Sequence, residues 1–291
     1  MTGGLLGAIE AGGTKFVLAV GEGPTRITAT HEIPTRDPQQ TLAEASAWFA
    51  AQGPLRSIGI ASFGPVELDR ASPKWGHILQ TPKAGWSDCN LAGHFAEVFG
   101  VPVGFETDVN GAALGEYHHG AGMGASSLTY ITIGTGIGGG TVIDGRLVHG
   151  AGHPEMGHAF PRRAADDHQY PGNCPFHGDC VEGLASGPAI LARWGASLSD
   201  LPPDHEAHER VAGYIAQLCH SVFAMMATEV IVLGGGVMNT PHLHDRVARQ
   251  VRALDAGYLP NQELRRITSP ALGSAAGITG AMLLAQSASR T

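Results

Sequence analysis

Three glycine clusters carry the first chemical signal in this sequence. They are Gly12-Gly13-Thr14, Gly134-Thr135-Gly136-Ile137-Gly138-Gly139-Gly140 and Gly234-Gly235-Gly236, and each follows an apolar, β-prone run. Glycine lets the backbone approach a ligand closely and adopt positive φ. Successive N–H groups in such turns form anion-binding concavities, and the hydroxyls of Thr14 and Thr135 could add donors. The plainer alternative is a set of tight hairpins. Two familiar motifs do not apply. Gly7 to Lys15 (GAIEAGGTK) is spaced like a P-loop, but the order Gly13-Thr14-Lys15 is wrong and a β-prone segment comes next where a helix should open. Residues 134–139 match G-x-G-x-x-G, but TVIDG comes after them and reads as a strand, where a dinucleotide fingerprint opens a helix.

Two carboxylates stand next to strand ends. Glu10 closes the run before the first glycine turn, where it could hold Mg2+ through water beside a phosphate; otherwise it is a solvated strand end. Asp108 opens a helical stretch in Thr107-Asp108-Val109-Asn110. Taken alone, it is most simply an N-cap, with Asn110 an ordinary first-turn residue.

A polar stretch suggests a metal. His153-Pro-Glu155-Met-Gly-His158 is followed by Cys174-Pro-Phe-His177-Gly-Asp-Cys180. Cys-x2-His-x2-Cys brings two thiolates and an imidazole within reach of one ion. His158 could complete a closed tetrahedral site of the structural zinc type, with His153 and His168 as competing fourth ligands. His118, His119, His205 and His208 show no ligand pattern and read as surface residues.

The chain of 291 residues is about two domains long. Charged residues are only 15%, under the usual ~25%, and glycine is 42 of 291, about 14% against an average of ~7%. A net charge of −8 excludes an overall basic footprint for nucleic acid or anionic membranes. No apolar run reaches the ~18 residues of a bilayer span. The start, MTGGLLGAIEAGGTK, has no basic residue before its apolar stretch, so it does not read as a signal peptide. A cytoplasmic location is expected. Cys89, Cys174, Cys180 and Cys219 are too few for a disulfide scaffold.

These residues need elements to position them. Strands are expected at 5–9, 16–20 and 25–33, then a helix at 41–51 with Thr41 as N-cap and a strand at 57–63 ending at Gly64-Pro65. A helix at 90–99, capped by Asn90 and stopped by Gly100, leads to a strand at 101–106 and a helix at 108–117. The pattern then restarts. Strands at 127–133, 140–143 and 146–148 precede an irregular stretch from His153 to Cys180, and helices at 206–227, 242–253 and 275–285 flank a strand at 230–233. Strands entering a glycine turn thus occur twice, a weak repeat of topology that argues for α/β architecture in two similar lobes with a cleft between them.

Together these residues resemble the ROK family of sugar kinases, in the actin-like ATPase superfamily, over nearly the whole chain. Glu10-Ala-Gly-Gly-Thr-Lys15 is similar to that family's phosphate loop in its fructokinase branch, although most members have Asp at position 10. Gly134–Gly140 resembles the second phosphate loop and Gly234–Gly236 the adenosine loop. Thr107-Asp108-Val109-Asn110 resembles the segment carrying the catalytic base, with Thr107 in place of a sugar-binding Asn. Glu155-x-Gly-His158 is similar to the signature whose Glu binds sugar and whose His binds zinc. Cys174-x2-His177-x2-Cys180 and Glu182 match the zinc and further sugar contacts. Phe63-Gly64-Pro65, Pro73-Lys74-Trp75-Gly76 and Thr81-Pro82-Lys83-x2-Trp86 look like fructokinase segments near the sugar.

The resemblance implies a two-lobed actin-like ATPase (ribonuclease H-like) α/β fold with an inter-lobe cleft and a zinc-binding loop. The N-terminal lobe would be 1–115 joined by a C-terminal helix at 275–291, and the C-terminal lobe 116–274 with the zinc-binding insertion at 153–182. It implies ATP as co-substrate, Mg2+ held through water by Glu10, structural Zn2+ on His158, Cys174, His177 and Cys180, and a homodimer. Phosphate and nucleotide contacts would come from Gly12, Gly13, Thr14, Lys15, Gly134, Thr135, Gly136, Gly234, Gly235 and Gly236. Sugar contacts would come from Gly64, Pro65, Thr107, Asp108, Glu155, His158 and Glu182. The expected activity is phosphorylation of the 6-hydroxyl of D-fructose with Asp108 as general base. Glucose or mannose is the alternative substrate. A sugar-sensing regulator is a distant alternative, since a helix-turn-helix domain would have to precede Glu10.

Overall fold

The structure is a computed structural model and describes residues 4–290. It divides into two compact units: Met1–His119 with His149–His153 and Ser274–Thr291, and Gly120–Val148 with Pro154–Gly273.

In the first unit, β1 (Leu5–Ala11), β2 (Lys15–Gly23) and β3 (Arg26–Pro34) form an antiparallel meander. Helix α1 (Pro38–Ala51) leads to β4 (Leu55–Ser62), which runs parallel to β1. A small pair, β5 (His77–Ile78) and β6 (Cys89–Asn90), precedes α2 (Leu91–Phe99), β7 (Val103–Thr107) and α3 (Asp108–His119). The sheet order is β3-β2-β1-β4-β7. β1 is apolar almost throughout because both of its faces are covered. Ile9 and Ala11 enter the cluster with Phe49, Phe95 and Trp86. Leu6 and Ala8 face a helix from the far end of the chain. Continuing that two-residue alternation puts Glu10 on the same face as Leu6 and Ala8.

The second unit repeats the topology. Strands β8 (Ser127–Ile133), β9 (Ile137–Ile143) and β10 (Arg146–Leu147) form the meander. Helices α4 (Val181–Ala185), α5 (Gly187–Trp194) and α6 (Glu206–Met226) precede β11 (Val230–Gly234), α7 (Leu243–Asp255) and β12 (Arg266–Thr268). The order is β10-β9-β8-β11-β12, the same arrangement as in the first sheet. The last helix, α8 (Ala276–Ala288), belongs to the first unit and packs on β1 and β4.

Local chemistry explains most boundaries. α2 is capped by Asn90 and ends at Gly100 with φ 63°, as expected. α1 starts earlier than its composition suggests, and the assignment of Thr41 as N-cap is corrected. The cap is Asp37, whose carboxylate accepts from Gln40 N at 3.0 Å, with Pro38 in the first turn where its missing N–H costs nothing. Thr41 Oγ1 instead accepts from Arg36 N at 3.0 Å. Residues 153–180 hold only two short 3-10 turns, Met156–His158 and Ala165–Asp167, in keeping with their irregular composition. The expected elements omit α4, α5 and β12, which are short and lack a clear period. Among the described residues no helix is long and apolar enough to cross a membrane.

α3 and α8 pack tightly, because Gly280 approaches Gly111 so closely that a Cβ would lie 1.8 Å from the Gly111 carbonyl oxygen. Gly280→Ala must therefore spread the two helices. We expect a loss of roughly 1–3 kcal/mol in urea unfolding, and an unchanged midpoint would contradict the packing.

Candidate active site

In the first unit the β1–β2 turn is closed by its own backbone. Gly12 N donates to Lys15 O at 2.9 Å, and Thr35 Oγ1 donates to Gly12 O at 2.7 Å. Gly13 and Thr14 form the exposed tip of that turn. Lys15 extends from the start of β2 and pairs with Glu32 at 2.8 Å across the β2–β3 ladder.

Glu10 reaches the first turn of α8 and accepts from Ile278 N–H. That helix has no side-chain cap of its own, so Glu10 supplies one from the far end of the chain. Gly277 makes room for it: a Cβ there would sit 2.4 Å from the Glu10 carboxyl carbon. Glu10 Oε2 is buried without a hydrogen-bond partner among the described residues. Burial first, then the negative charge of Asp108, pushes the Glu10 carboxyl up to about 7, against the lowering influence of Lys15 and Ile278 N–H. An orphaned carboxylate oxygen in the field of a second carboxylate is suited to a divalent cation or its water shell.

Asp108 is the first residue of α3, not its cap. Thr107 Oγ1 accepts from Asn110 N at 3.1 Å and takes the capping role, while Asp108 Oδ1 accepts from Val109 N at 2.8 Å. The Thr107 side chain is thus buried and engaged. Asn110 is more than an ordinary helical residue. Its Nδ2 donates to Glu106 Oε2 at 2.8 Å, and Glu106 Oε1 meets His149 Nε2 at 2.9 Å. The hydrogen bond to Glu106 raises the His149 pKa above its ordinary value, against partial burial. Nearby, His153 Nε2 accepts from Val66 N at 3.3 Å, just past Gly64-Pro65. The two histidines therefore fasten segment 149–153 to the unit that carries Asp108. Glu106 and His149 also line a cavity of about 530 Å3 with Glu67, Asp69, Arg70 and Trp75. Neither the Glu106 nor the His149 role was visible in the sequence, because no local spacing pairs them.

In the second unit the two remaining glycine clusters meet. Gly134, Thr135 and Gly236 line one cavity of about 410 Å3, together with Gly187, Ser197, Ser199 and Thr240. Gly187 N at the start of α5 donates to Gly134 O at 2.8 Å, which ties that helix to the turn. Sequence reading missed this wall, although Ser186-Gly187-Pro188 carries a helix-start signal: Ser186 Oγ accepts from Ala189 N. Gly234 ends β11 and Gly235 caps the 3-10 turn after it, and neither is among the residues that line the cavity. Glu182 lies in the first turn of α4 and its Oε2 accepts from Ile137 N at 2.8 Å, so its carboxylate reaches the β8–β9 turn. The turn carrying Glu155 and His158 packs on β9.

The metal-like residues converge. His158, Cys174, His177 and Cys180 bring one donor atom each within 4.8 Å of one another. The two imidazole Nδ1 atoms are 3.3 Å apart, Cys174 Sγ lies 3.8 Å from each, and Cys180 Sγ lies 3.6 Å from His158 Nδ1. A tetrahedron with arms of ~2.0–2.3 Å has edges of about 3.3–3.8 Å, so this donor set fits a zinc-type site. His158 is the fourth member; His153 is occupied at Val66 N, and His168 lies outside the group. Burial pushes the Cys180 thiol up to about 11, so a bound cation must displace a proton. Burial likewise pushes Cys89 to about 11 and Cys219 to about 12, which leaves both as inert thiols. The segment is anchored beside the group. Buried Asp167 is flanked by Arg163, Arg193 and Arg210, and Arg163 also reaches Asp179 at 3.2 Å, next to Cys180.

The family model described as ROK family matches residues 6–288. A fructokinase of Zymomonas mobilis is 44% identical, over 98% of this chain and 97% of its own. A fructokinase of Pediococcus pentosaceus is 40% identical, over 98% of each chain. Among solved structures, a ROK hexokinase from Thermus thermophilus superimposes with TM-score 0.79 at 28% identity, covering 97% of this chain and 98% of that one. A ROK family glucokinase from Streptomyces griseus, in complex with glucose and AMPPNP, gives TM-score 0.74 at 25% identity, covering 98% and 100%.

The His149–Glu106 pair carries a testable pH dependence. A histidine pKa raised in the folded state adds stability fully present below its unfolded value of ~6.5 and lost as pH rises through the folded value. The stability gap between wild type and His149→Gln in urea unfolding should be widest near pH 5–6 and shrink by pH 9. A gap of equal size at both ends would show that the pair contributes no such linkage.

Proposed function

Because this chain belongs to the ROK family, we infer from its site and its relatives that it is an ATP-dependent fructokinase with the actin-like ATPase fold. The observation that carries the substrate is full-length identity to fructokinases, well above the identity to the glucokinase of known structure.

In this reading the nucleotide occupies the cavity lined by Gly134, Thr135 and Gly236, with N–H groups of the glycine turns facing phosphate oxygens. The turn at Gly12, Gly13 and Thr14, with Lys15 beside it, contacts phosphate oxygens through its N–H groups. Glu10 would hold the water shell of the Mg2+ that accompanies ATP, which would supply charge neutralisation for phosphoryl transfer. The sugar contacts in this reading are Gly64, Pro65, Thr107 and Asp108 of the first unit and Glu155, His158 and Glu182 of the second, with Thr107 also capping α3. Asp108 accepts the proton of the 6-hydroxyl as the oxygen bonds to the γ-phosphorus and the bond to ADP breaks. Catalysis is mainly positioning and electrostatics, since the transition state is loose. The rigid start of α3, clamped by the Thr107 cap and the Asn110–Glu106 bond, supports that role.

His158, Cys174, His177 and Cys180 hold structural zinc, whose part is to order the turn bearing Glu155 and the helix bearing Glu182. The domain boundary near residue 115 and the return of the last helix to the N-terminal lobe belong to this reading, as do a homodimer and a cytoplasmic location. The acidic charge balance supports a small-molecule enzyme without nucleic-acid or membrane partners.

A coupled ADP-release assay with Mg·ATP should show fructose turnover well above glucose and mannose; a glucose preference would overturn the substrate. Asp108→Asn should lower kcat by roughly 10²–10⁴-fold while fructose and AMPPNP still bind by calorimetry, and unchanged turnover would remove Asp108 as base. Metal analysis should find one zinc per chain, and Cys180→Ser should lose it along with thermal stability. Retention of zinc in that variant would exclude the proposed ligand set.

A further inference from the structure

A second cavity in the second unit, of about 350 Å3, opens between α6, α7 and the segment leading into β12. It shares no lining residue with the nucleotide cavity. Its wall gathers Arg252, Arg265 and Arg266 with His220, against one carboxylate, Asp255. That carboxylate is already committed. Asp255 accepts from Leu259 N at 3.2 Å and from Gln262 Nε2, and His220 Nε2 lies 3.9 Å away.

The three guanidinium groups lack acidic partners among the described residues. Arg265 lies 5.6 Å over the Phe223 ring, and its Nη1 is buried without a hydrogen-bond acceptor. Arg266 is held by a neutral acceptor, the Ala121 carbonyl, at 2.9 Å. Arg252 stands in the last turn of α7, where the helix C-terminus favours a cation. Five other arginines of the same unit are paired, Arg163, Arg193 and Arg210 around Asp167 and Arg246 and Arg249 on Glu209, while Arg146 and Arg162 stand apart from this cavity. In a chain of net charge −8, uncompensated cations collected around one hollow call for an anion.

We propose that this cavity binds a phosphoryl group, from free phosphate or from a phosphorylated metabolite, at a site separate from the nucleotide. Guanidinium forks match tetrahedral oxyanions through paired charge-assisted hydrogen bonds. Phe223, Leu259 and Ile267 add an apolar wall suited to the carbon skeleton of a phosphomonoester.

The test is calorimetric titration of the full-length, zinc-loaded protein with inorganic phosphate and with glycerol 3-phosphate. Saturating AMPPNP with Mg2+ keeps the glycine turns occupied. Binding of either anion should weaken about tenfold in Arg252→Gln or Arg265→Gln, as expected for a lost charge-assisted contact, with AMPPNP affinity unchanged. Tighter binding of glycerol 3-phosphate would identify a metabolite site, and equal binding a phosphate site. Absence of binding by wild type, or affinities unaltered in both variants, would overturn the proposal. Arg252 is solvent-exposed, so its replacement tests the site without disturbing the core.

Discussion

A buried carboxylate facing a second carboxylate is the constraint around which the first unit is arranged. Glu10 titrates near 7 because burial and Asp108 both oppose its charge. The strand alternation that seats Leu6 and Ala8 on α8 also delivers Glu10 to that helix's first turn. There the helix N-terminus offers the partial positive field that such a group needs. α8 must then lie close, which a side chain at residue 277 would prevent. It also lies close to α3, so one helix supports both Glu10 and the helix that begins at Asp108.

The second unit solves a different problem. Residues 153–180 have too little periodic apolar surface to order themselves by burial, yet they carry Glu155 and lead into Glu182. Fixing each residue costs roughly 1–2 kcal/mol of backbone entropy. Four donors poised for one metal, and a buried aspartate holding three arginines, supply the missing order. The metal group sits directly between the two glutamates in sequence, with His158 three residues after one and Cys180 two before the other.

The same strand order occurs in both sheets, and each places a hairpin turn of glycines at its first two strands. The surroundings of the two turns differ. In the first unit the turn stands beside Glu10. In the second it is walled by α5 and by the residues after β11 to form a cavity. One strand order therefore carries an exposed turn in one unit and a turn that walls a cavity in the other, and the elements added after the meander make the difference.

Much of this was legible along the chain. The apolar run of β1, the Asn90 and Gly100 ends of α2, the glycine turns and the Cys-x2-His-x2-Cys spacing are local patterns, and local steric and hydrogen-bonding rules set them within a few residues. The start of α1 was misjudged because Thr41 and Asp37 are both good caps, and only the backbone path shows that Asp37 meets Gln40 N. Thr107 displaced Asp108 as cap for the same reason. Short elements such as α4, α5 and β12 carry too few residues to reveal a period. The rest was decided by tertiary packing: His158 rather than His153 or His168 closing the metal group, His149 meeting Glu106, Glu10 meeting Ile278, and three arginines gathering on Asp167. Those partners lie far apart in sequence, and no local window specifies which distant group will arrive, because that depends on how the sheets and helices pack.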